Sequence, residues 1–407
     1  MSKLKLAIIG LGNRGSGLLR DYLVLQEDVE FTHVCDGYPE RVEAAADAVR
    51  KAGRGNPVAT TDYRDALRGD ADAVIVATSW ETHIEIAIAS LRAGKVTAIE
   101  VGGAADVREC HELVRAHEET RTPFMFLENC CYNREELLAL RLAREGILGE
   151  VVHCSGVYTH DLRREVTRGV ERNHYRLSHY LTRNCENYPT HELGPIAKIL
   201  DINRGNRMVS LVSMASKAAG MERYIEKHAD KLNPDLRGKK FAQGDVVHTL
   251  IQCANGETIL LKLDTTLPAH YDRELIVKGV DGSYRQSSHS VVIDGVDNKE
   301  EIWNPSESLA RLRENAARYH HLLPAVWRDM TEEQKRTGHG GMDGIMLRDF
   351  INRAKARSEM PIDVYDAASW MAVTALSAES IRLGSVPVAM PDFTNGQWRA
   401  RPRMDVM

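Results

Sequence analysis

The first apolar run, Leu4, Leu6, Ala7, Ile8 and Ile9, is nearly unbroken. A strand reads this way when both faces of its sheet are covered, as in parallel sheets. Apolar residues then return at helical spacing, at Leu18, Leu19, Tyr22 and Leu23,. The alternation continues through a strand "VEFTHVCD", a helix "RVEAAADAVRKAG", a strand "DAVIVAT", a helix "ETHIEIAIASLRAGK", a strand "VTAIE", a helix "AADVRECHELVRAHEETR" and a strand "PFMFLEN". Repeated strand–helix units of this kind predict a doubly wound parallel sheet.

From about residue 130 the period changes. "REELLALRLAREGILGE" predicts a helix and "VVHCSGVYTH" a strand. "MVSLVSMASKA", "DVVHTLIQCANGETILLKLDTTL" and "ELIVKGVDGSYRQ" alternate apolar and polar residues, the mark of antiparallel strands,. Asn255-Gly256 suits a type I′ hairpin turn,. The helices "MDGIMLRDFINRAKA" and "DVYDAASWMAVTALSAESIRLG" follow. Residues 160–187, polar and rich in aromatics, read as a long loop over a site,. The expected fold is therefore α/β: an N-terminal Rossmann sheet over 1–129, then an α+β domain over 130–407 with an open, mainly antiparallel sheet, whose last helices can pack back on the first domain. The alternating strands leave a sheet face available for pairing, so a homodimer or tetramer is expected. No internal repeat or low-complexity segment interrupts the chain.

Composition narrows the classes. A chain of 407 residues with 43% hydrophobic residues can bury ordinary cores in two domains,. A formal net charge of −5 argues against nucleic-acid partners or a membrane surface,. No apolar stretch is long enough to span a bilayer, and the first apolar run leads straight into a glycine turn rather than a signal-peptide cleavage site. Seven scattered cysteines, an odd number without a CxxC pair, read as free thiols,. The protein reads as cytoplasmic.

The chemistry begins at Gly10, Gly12 and Gly15, a GxGxxG pattern between a strand and a helix. The glycines allow a tight turn, close approach of a pyrophosphate and close helix–strand packing. The helix N-terminus adds unpaired N–H groups for the phosphates. Asp36 ends the next strand about 20 residues on, where a carboxylate accepts from ribose hydroxyls and repels a 2′-phosphate, which favours NAD. Arg14 and Arg41 keep NADP open. The carboxyl ends of the other strands carry Thr78, Ser79 and Trp80, then Glu100 and Val101, then Glu128 and Asn129; Trp80 and His83 open a helix there. In the second half, Tyr188 precedes a proline and His191 follows three residues later at the mouth of a helix, a pair able to exchange protons with a sugar hydroxyl. A capping turn with a buried histidine is the bland alternative, and Glu192 reads as a first-turn carboxylate that favours the helix dipole.

The order "GLGNRG", "TSWETH", "IEVGGA", "LENCCYN" resembles the Gfo/Idh/MocA superfamily of nicotinamide-dependent sugar oxidoreductases, which usually carries Glu-Lys-Pro where this chain has Glu100, Val101 and Gly102. "GVYTHDLR", "RNCENYPTHELGPIAKILDINRGNR", "GHGGMD" and "PIDVYDAASW" are similar to glycoside hydrolase family 109, NAD-dependent α-N-acetylgalactosaminidases on the same scaffold. The resemblance implies that Asn13 and Arg14 lie in the phosphate turn and that Asp36 holds the ribose. It implies that Trp80, His83, Glu100, Val101 and Asn129 contact NAD. It places Tyr158, Arg176, Tyr188, His191 and Tyr271 around the sugar, with His191 and Tyr188 catalytic and no metal. The implied reaction oxidises the sugar at C3, removes the acidified C2 proton, expels the C1 substituent, adds water and restores C3. The alternatives are a net NAD(P)-dependent sugar or polyol dehydrogenase, a cofactor-binding sensor, and a metal-dependent hydrolase built on His160, Asp161, His191 and Glu192.

Overall fold

The computed structural model describes residues 3–172, 174–299, 303–331 and 338–407. The chain divides into two compact units: Met1–Asn133 with Asp329–Ala368 and Met404–Met407, and Arg134–Arg328 with Ser369–Arg403.

The first unit is built on a six-stranded parallel sheet of order β3-β2-β1-β4-β5-β6, with β1 Leu4–Ile9, β2 Val29–Cys35, β3 Val58–Thr60, β4 Ala73–Val76, β5 Val96–Glu100 and β6 Phe124–Leu127. Strand order reverses between β1 and β4, the place where such sheets open a ligand crevice. The short β3 and the helix Tyr63–Arg68 escape the periodicity reading because neither carries a long apolar pattern. Among the crossover helices are α1 (Asn13–Asp21), α2 (Pro39–Lys51), α3 (Tyr63–Arg68), α4 (His83–Arg92) and α5 (Val107–Thr120). Caps fix two of their starts: Asp62 accepts from Arg64 N and Asp106 from Arg108 N,.

The helix Met342–Ala356 returns to this unit. Arg348 holds Asp28 through two bonds of 2.9 Å, Lys355 adds a third at 2.9 Å, and Tyr132 donates to Asp349 Oδ2 at 2.8 Å. The backbone N–H of Phe126 in β6 donates to Ile362 O at 2.9 Å.

The second unit carries an eight-stranded sheet of order β13-β12-β11-β7-β10-β9-β8-β14. Its strands are β7 Val151–Thr159, β8 Met208–Ala215, β9 Val246–Cys253, β10 Thr258–Asp264, β11 Ile276–Gly279, β12 Gly282–Arg285, β13 Ser290–Ile293 and β14 Val388–Ala389. Among the described residues only β7 and β10 of this sheet pair in parallel, so it is mainly antiparallel. One face is core: Cys154, Val247, Ile251, Ile259, Leu261, Leu263 and Val277 are buried. The helix Thr190–Ile199 packs on β7, and a Cβ at Gly156 would stand 2.7 Å from Glu192 Cβ. A side chain there would push that helix off the sheet.

Two expectations are corrected. Residues 160–187 are not one long loop: Arg163–Thr167, Gly169–Arg172 and Arg176–Thr182 are short helices, which satisfy backbone groups that a buried loop would leave unpaired,. The β9–β10 turn is not type I′, since only Gly256 of Asn255-Gly256 has positive φ (105°). Cys253 N donates to Glu257 O across three residues, a longer loop closed by one left-handed glycine,.

The glycine turn shows the tightest packing. Gly10 has φ 96°, and a Cβ on Gly15 would lie 1.9 Å from Gly10 O, whereas one on Gly12 meets nothing within 4 Å. Gly15→Ala is therefore expected to lower stability by more than about 2 kcal/mol, and Gly12→Ala to leave it within about 0.5 kcal/mol, in parallel denaturant titrations. Equal losses in the two variants would contradict this account of the turn.

Candidate active site

The first unit gathers the residues at the carboxyl ends of its strands. Gly10, Gly12, Asn13, Arg14 and Gly15 form the turn from β1 into α1. Asp36, just past β2, accepts from Leu11 N at 2.6 Å through Oδ2 and from Tyr38 N at 3.0 Å through Oδ1. Its carboxylate is thus oriented by the glycine turn itself. Of the two arginines, Arg41 stands 3.5 Å from Asp36 Oδ1 and stacks over the Tyr38 ring at 4.2 Å. Arg14 is engaged elsewhere: Nε meets Glu100 Oε1 at 3.0 Å, and Nη1 and Nη2 donate to Asp343 at 2.7 and 2.9 Å. Asn129 Nδ2 donates to the same Asp343 at 2.7 Å. Arg14 therefore bridges two carboxylates, Glu100 and Asp343, and Asn129 binds the second of them.

Trp80 and His83 are buried, and both rings press on Gly102, where a Cβ would come within 2.4 Å of Trp80 and 2.7 Å of His83. Gly102 follows Val101, itself buried. Burial lowers the His83 pKa to about 4, against a backbone hydrogen bond at Glu100 that acts the other way, so the imidazole is neutral at pH 7,. Burial raises the Glu100 carboxyl, while Arg14 opposes that rise.

These residues fit a dinucleotide. Gly12 leaves open space where the backbone must approach a pyrophosphate, the first turn of α1 supplies N–H donors, and the buried Thr78 Oγ1 at the end of β4 has no hydrogen-bond partner among the described residues,.

The second unit gathers a different set. Tyr188 Oη and His191 Nε2 are 3.3 Å apart. Tyr158 lies against both, with ring centroids 4.7 Å from Tyr188 and 5.6 Å from His191. Tyr271, which is exposed, closes the row at 6.1 Å from Tyr158. The Arg176 guanidinium lies over the Tyr188 ring at 5.1 Å, and its Nε is 3.1 Å from Glu165. All five residues expected around the sugar thus occupy one cluster.

Local chemistry explains the arrangement. Tyr158 shares the inward face of β7 with Gly156, whose missing side chain admits the helix that carries His191. Pro189 is the N-cap residue of that helix, and Pro195 within it cannot donate to the His191 carbonyl,. The segment before Tyr188 is pinned: Glu186 N donates to Ser377 Oγ at 2.8 Å, Asn187 Nδ2 to Gln243 Oε1 at 3.1 Å, and Gln243 Nε2 to Cys185 O at 3.0 Å. Burial pushes the Tyr158 phenol well above its usual range, with Arg176 opposing.

Three members of these clusters escaped the sequence reading as site residues. His160 entered only the metal-hydrolase alternative, yet its Nδ1 is 3.0 Å from Tyr158 Oη and its ring 5.2 Å from Tyr271. Burial, and then Arg176, lower its pKa. Asp343 carries no periodic or motif signal beyond its place in "GHGGMD". Glu186 is fully buried, and burial pushes its carboxyl up to about 8 against a hydrogen bond from the Tyr188 backbone. A carboxyl two residues before Tyr188 in the chain is thereby kept protonated at neutral pH.

Comparison with known proteins defines the class first. Residues 4–127 match the oxidoreductase family with an NAD-binding Rossmann fold, and residues 132–400 match the C-terminal domain of glycosyl hydrolase 109. The chain is 36% identical over 424 residues to a glycosyl hydrolase family 109 protein of Stenotrophomonas maltophilia, covering 98% of this chain and 91% of that one. It is 34% identical over 419 residues to an alpha-N-acetylgalactosaminidase of Tannerella forsythia, covering 97% and 87%. A levoglucosan dehydrogenase solved with NADH and levoglucosan shares the fold, with TM-score 0.69, 18% identity and coverage of 96% and 100%. The protein is an enzyme with a Rossmann NAD-binding unit. It belongs to glycosyl hydrolase family 109, and NAD is its cofactor.

The Glu186 environment has a measurable consequence. Its folded pKa lies above the unfolded value, so the stability it contributes is present below about pH 4.5 and is lost as pH rises towards 8,. Glu186→Gln should match wild type in thermal midpoint near pH 4.5 and exceed it by several degrees at pH 8 to 9. A constant difference between the two proteins across that range would show that Glu186 ionises normally.

Proposed function

We propose that this enzyme hydrolyses α-linked N-acetylgalactosaminides, or closely related sugars, through transient oxidation at C3. The observation that carries the reading is the Tyr188–His191 pair: a phenol and an imidazole 3.3 Å apart, at the start of a helix, walled by Tyr158 and Tyr271. Relatives over nearly the whole chain bear the name alpha-N-acetylgalactosaminidase. Two groups that exchange protons serve this reaction better than a flanking carboxylate pair, which NAD-dependent glycosidases do not use.

In this reading Gly12 and the first turn of α1 hold the pyrophosphate and Asp36 the ribose. Trp80, His83, Glu100, Val101 and Asn129 complete the nicotinamide half. The bound dinucleotide supplies reversible hydride exchange at C3. His191 takes the C3 hydroxyl proton as C3 becomes a ketone and returns it when C3 is restored. The ketone acidifies the C2 proton, which passes to the Tyr188–His191 pair. The electron pair released at C2 expels the C1 substituent, which leaves with a proton. Water then adds across C1 and C2, its hydroxyl going to C1 and a proton to C2. Tyr158, Tyr271 and Arg176 hold the sugar, and neutral His160 orients the Tyr158 phenol.

We also infer a cytoplasmic homo-oligomer of two or four copies. All seven cysteines are buried thiols outside any disulfide, as a reducing compartment permits,. The outward face of the mixed sheet exposes Met214 (64%) and Leu250 (44%),. Light scattering at micromolar concentration measures the assembly, and a monomer mass would remove this part of the reading.

The catalytic reading is tested with nitrophenyl glycosides in D₂O. Nitrophenol should form without stoichiometric NADH, and the released sugar should carry deuterium at C2. His191→Ala should keep fold and NAD affinity and lose about 100-fold or more in kcat. One NADH per product would establish a net dehydrogenase instead, and hydrolysis without C2 exchange would demand another mechanism.

A further inference from the structure

Asp343 joins more of the first unit than any other acidic side chain discussed above. Its side chain is 2% exposed. It accepts both terminal nitrogens of Arg14, the Nδ2 of Asn129 at 2.7 Å, and lies 2.7 Å from His339 Nδ1. Arg14 comes from the glycine turn, Glu100 from the end of β5 and Asn129 from just past β6. Asp343 thus ties the glycine turn directly to the end of β6, and to the end of β5 through Arg14.

The approach to Asp343 is strained. His339, Gly340 and Gly341 have φ of 48°, 71° and 94°. Glycine takes the left-handed region freely, but His339 does not, and such strain collects where a side chain must be aimed. Gly338, before them, is fixed by Tyr22 Oη donating to its carbonyl at 3.0 Å.

Electrically, Arg14 stands in the first turn of α1, where the helix dipole is already positive,. Glu100 alone is a poor counter-charge, because burial disfavours its ionised form. Asp343 supplies the second negative group within bonding distance of the guanidinium.

We propose that Asp343 is a positioning residue that neutralises Arg14 and so biases the site towards the oxidised dinucleotide over the reduced one. The oxidised nicotinamide ring carries a positive charge and the reduced ring is neutral, so the reduced cofactor is more negative by one charge. A bare guanidinium in the glycine turn would attract that extra negative charge. With Asp343 in place this attraction is cancelled, and the enzyme rests with NAD⁺, the form its first step needs. The inference deepens the reading of the cofactor site and depends on NAD binding there.

The test is equilibrium titration of NAD⁺ and NADH into apoprotein, followed by tryptophan fluorescence, for wild type and Asp343→Asn. The ratio Kd(NADH)/Kd(NAD⁺) should fall about three- to tenfold in Asp343→Asn, the scale of one partly screened charge at close range. Asp343→Glu should restore most of it. A proportional loss of both affinities, with the ratio unchanged, would make Asp343 a purely structural tie and overturn the proposal. Should Asp343→Asn fail to fold, Arg14→Gln carries the test: removing the guanidinium should not lower the ratio, and a ratio that falls would overturn the proposal. Absence of binding of either cofactor to wild type would instead remove the NAD reading on which the inference rests.

Discussion

The contact between Gly10 and Gly15 is the constraint on which the first unit depends. A parallel strand must turn into a helix within a few residues, and the helix must come back close to the strand it left. With 1.9 Å between Gly10 O and an imagined Cβ on Gly15, no other residue type fits without moving α1. The same closeness brings Arg14 within reach of Glu100 at the end of β5 and of Asp343 on the returning helix. Backbone packing, a cofactor turn and an ion network are consequences of one missing methyl group.

The second unit repeats this economy at Gly156. There the missing side chain lets the helix Thr190–Ile199 settle on β7, and Tyr158 on the same face meets Tyr188 and His191. The segment before the aromatic cluster is held by hydrogen bonds from Asn187 Nδ2 to Gln243 and from Glu186 N to Ser377. Glu186 in the same segment is a carboxyl whose burial is tolerated in its neutral form. Buried polar groups of this kind rigidify a site when satisfied and cost stability when charged.

The fold alone would have led to a different chemistry. Solved structures of the same architecture include sugar and polyol dehydrogenases with less than 20% identity to this chain, for example levoglucosan dehydrogenase and a myo-inositol 2-dehydrogenase from Lactobacillus plantarum. The scaffold is shared, while the reaction is settled by the side chains mounted on it. Here the family assignment comes from the second half of the chain, where the Tyr-Pro-Thr-His turn lies.

Much of this was legible in order along the chain. Strand–helix alternation, the change of period near residue 130, the GxGxxG turn and Asp36 at the end of β2 are local patterns, because period and turn chemistry are properties of neighbouring residues. The Tyr188–His191 pair was legible for the same reason, being three residues apart across a proline. What only the tertiary structure decided is long-range. Arg14 could be read as a phosphate-turn residue, but its partner Asp343 lies 329 residues away. His160 joins the aromatic cluster because β7 and the segment at Tyr271 run side by side, as the bridge between Thr159 and Asp272 shows. The helices within 160–187 have too few turns to show a period, and their stability comes from packing rather than propensity. The protonated state of Glu186 depends on burial, which a linear pattern does not encode. Sequence alone determined the long periodic elements and which turns carry chemistry; packing determined the short elements and which charges meet, because burial and Coulomb energy depend on distance in space and not on distance along the chain.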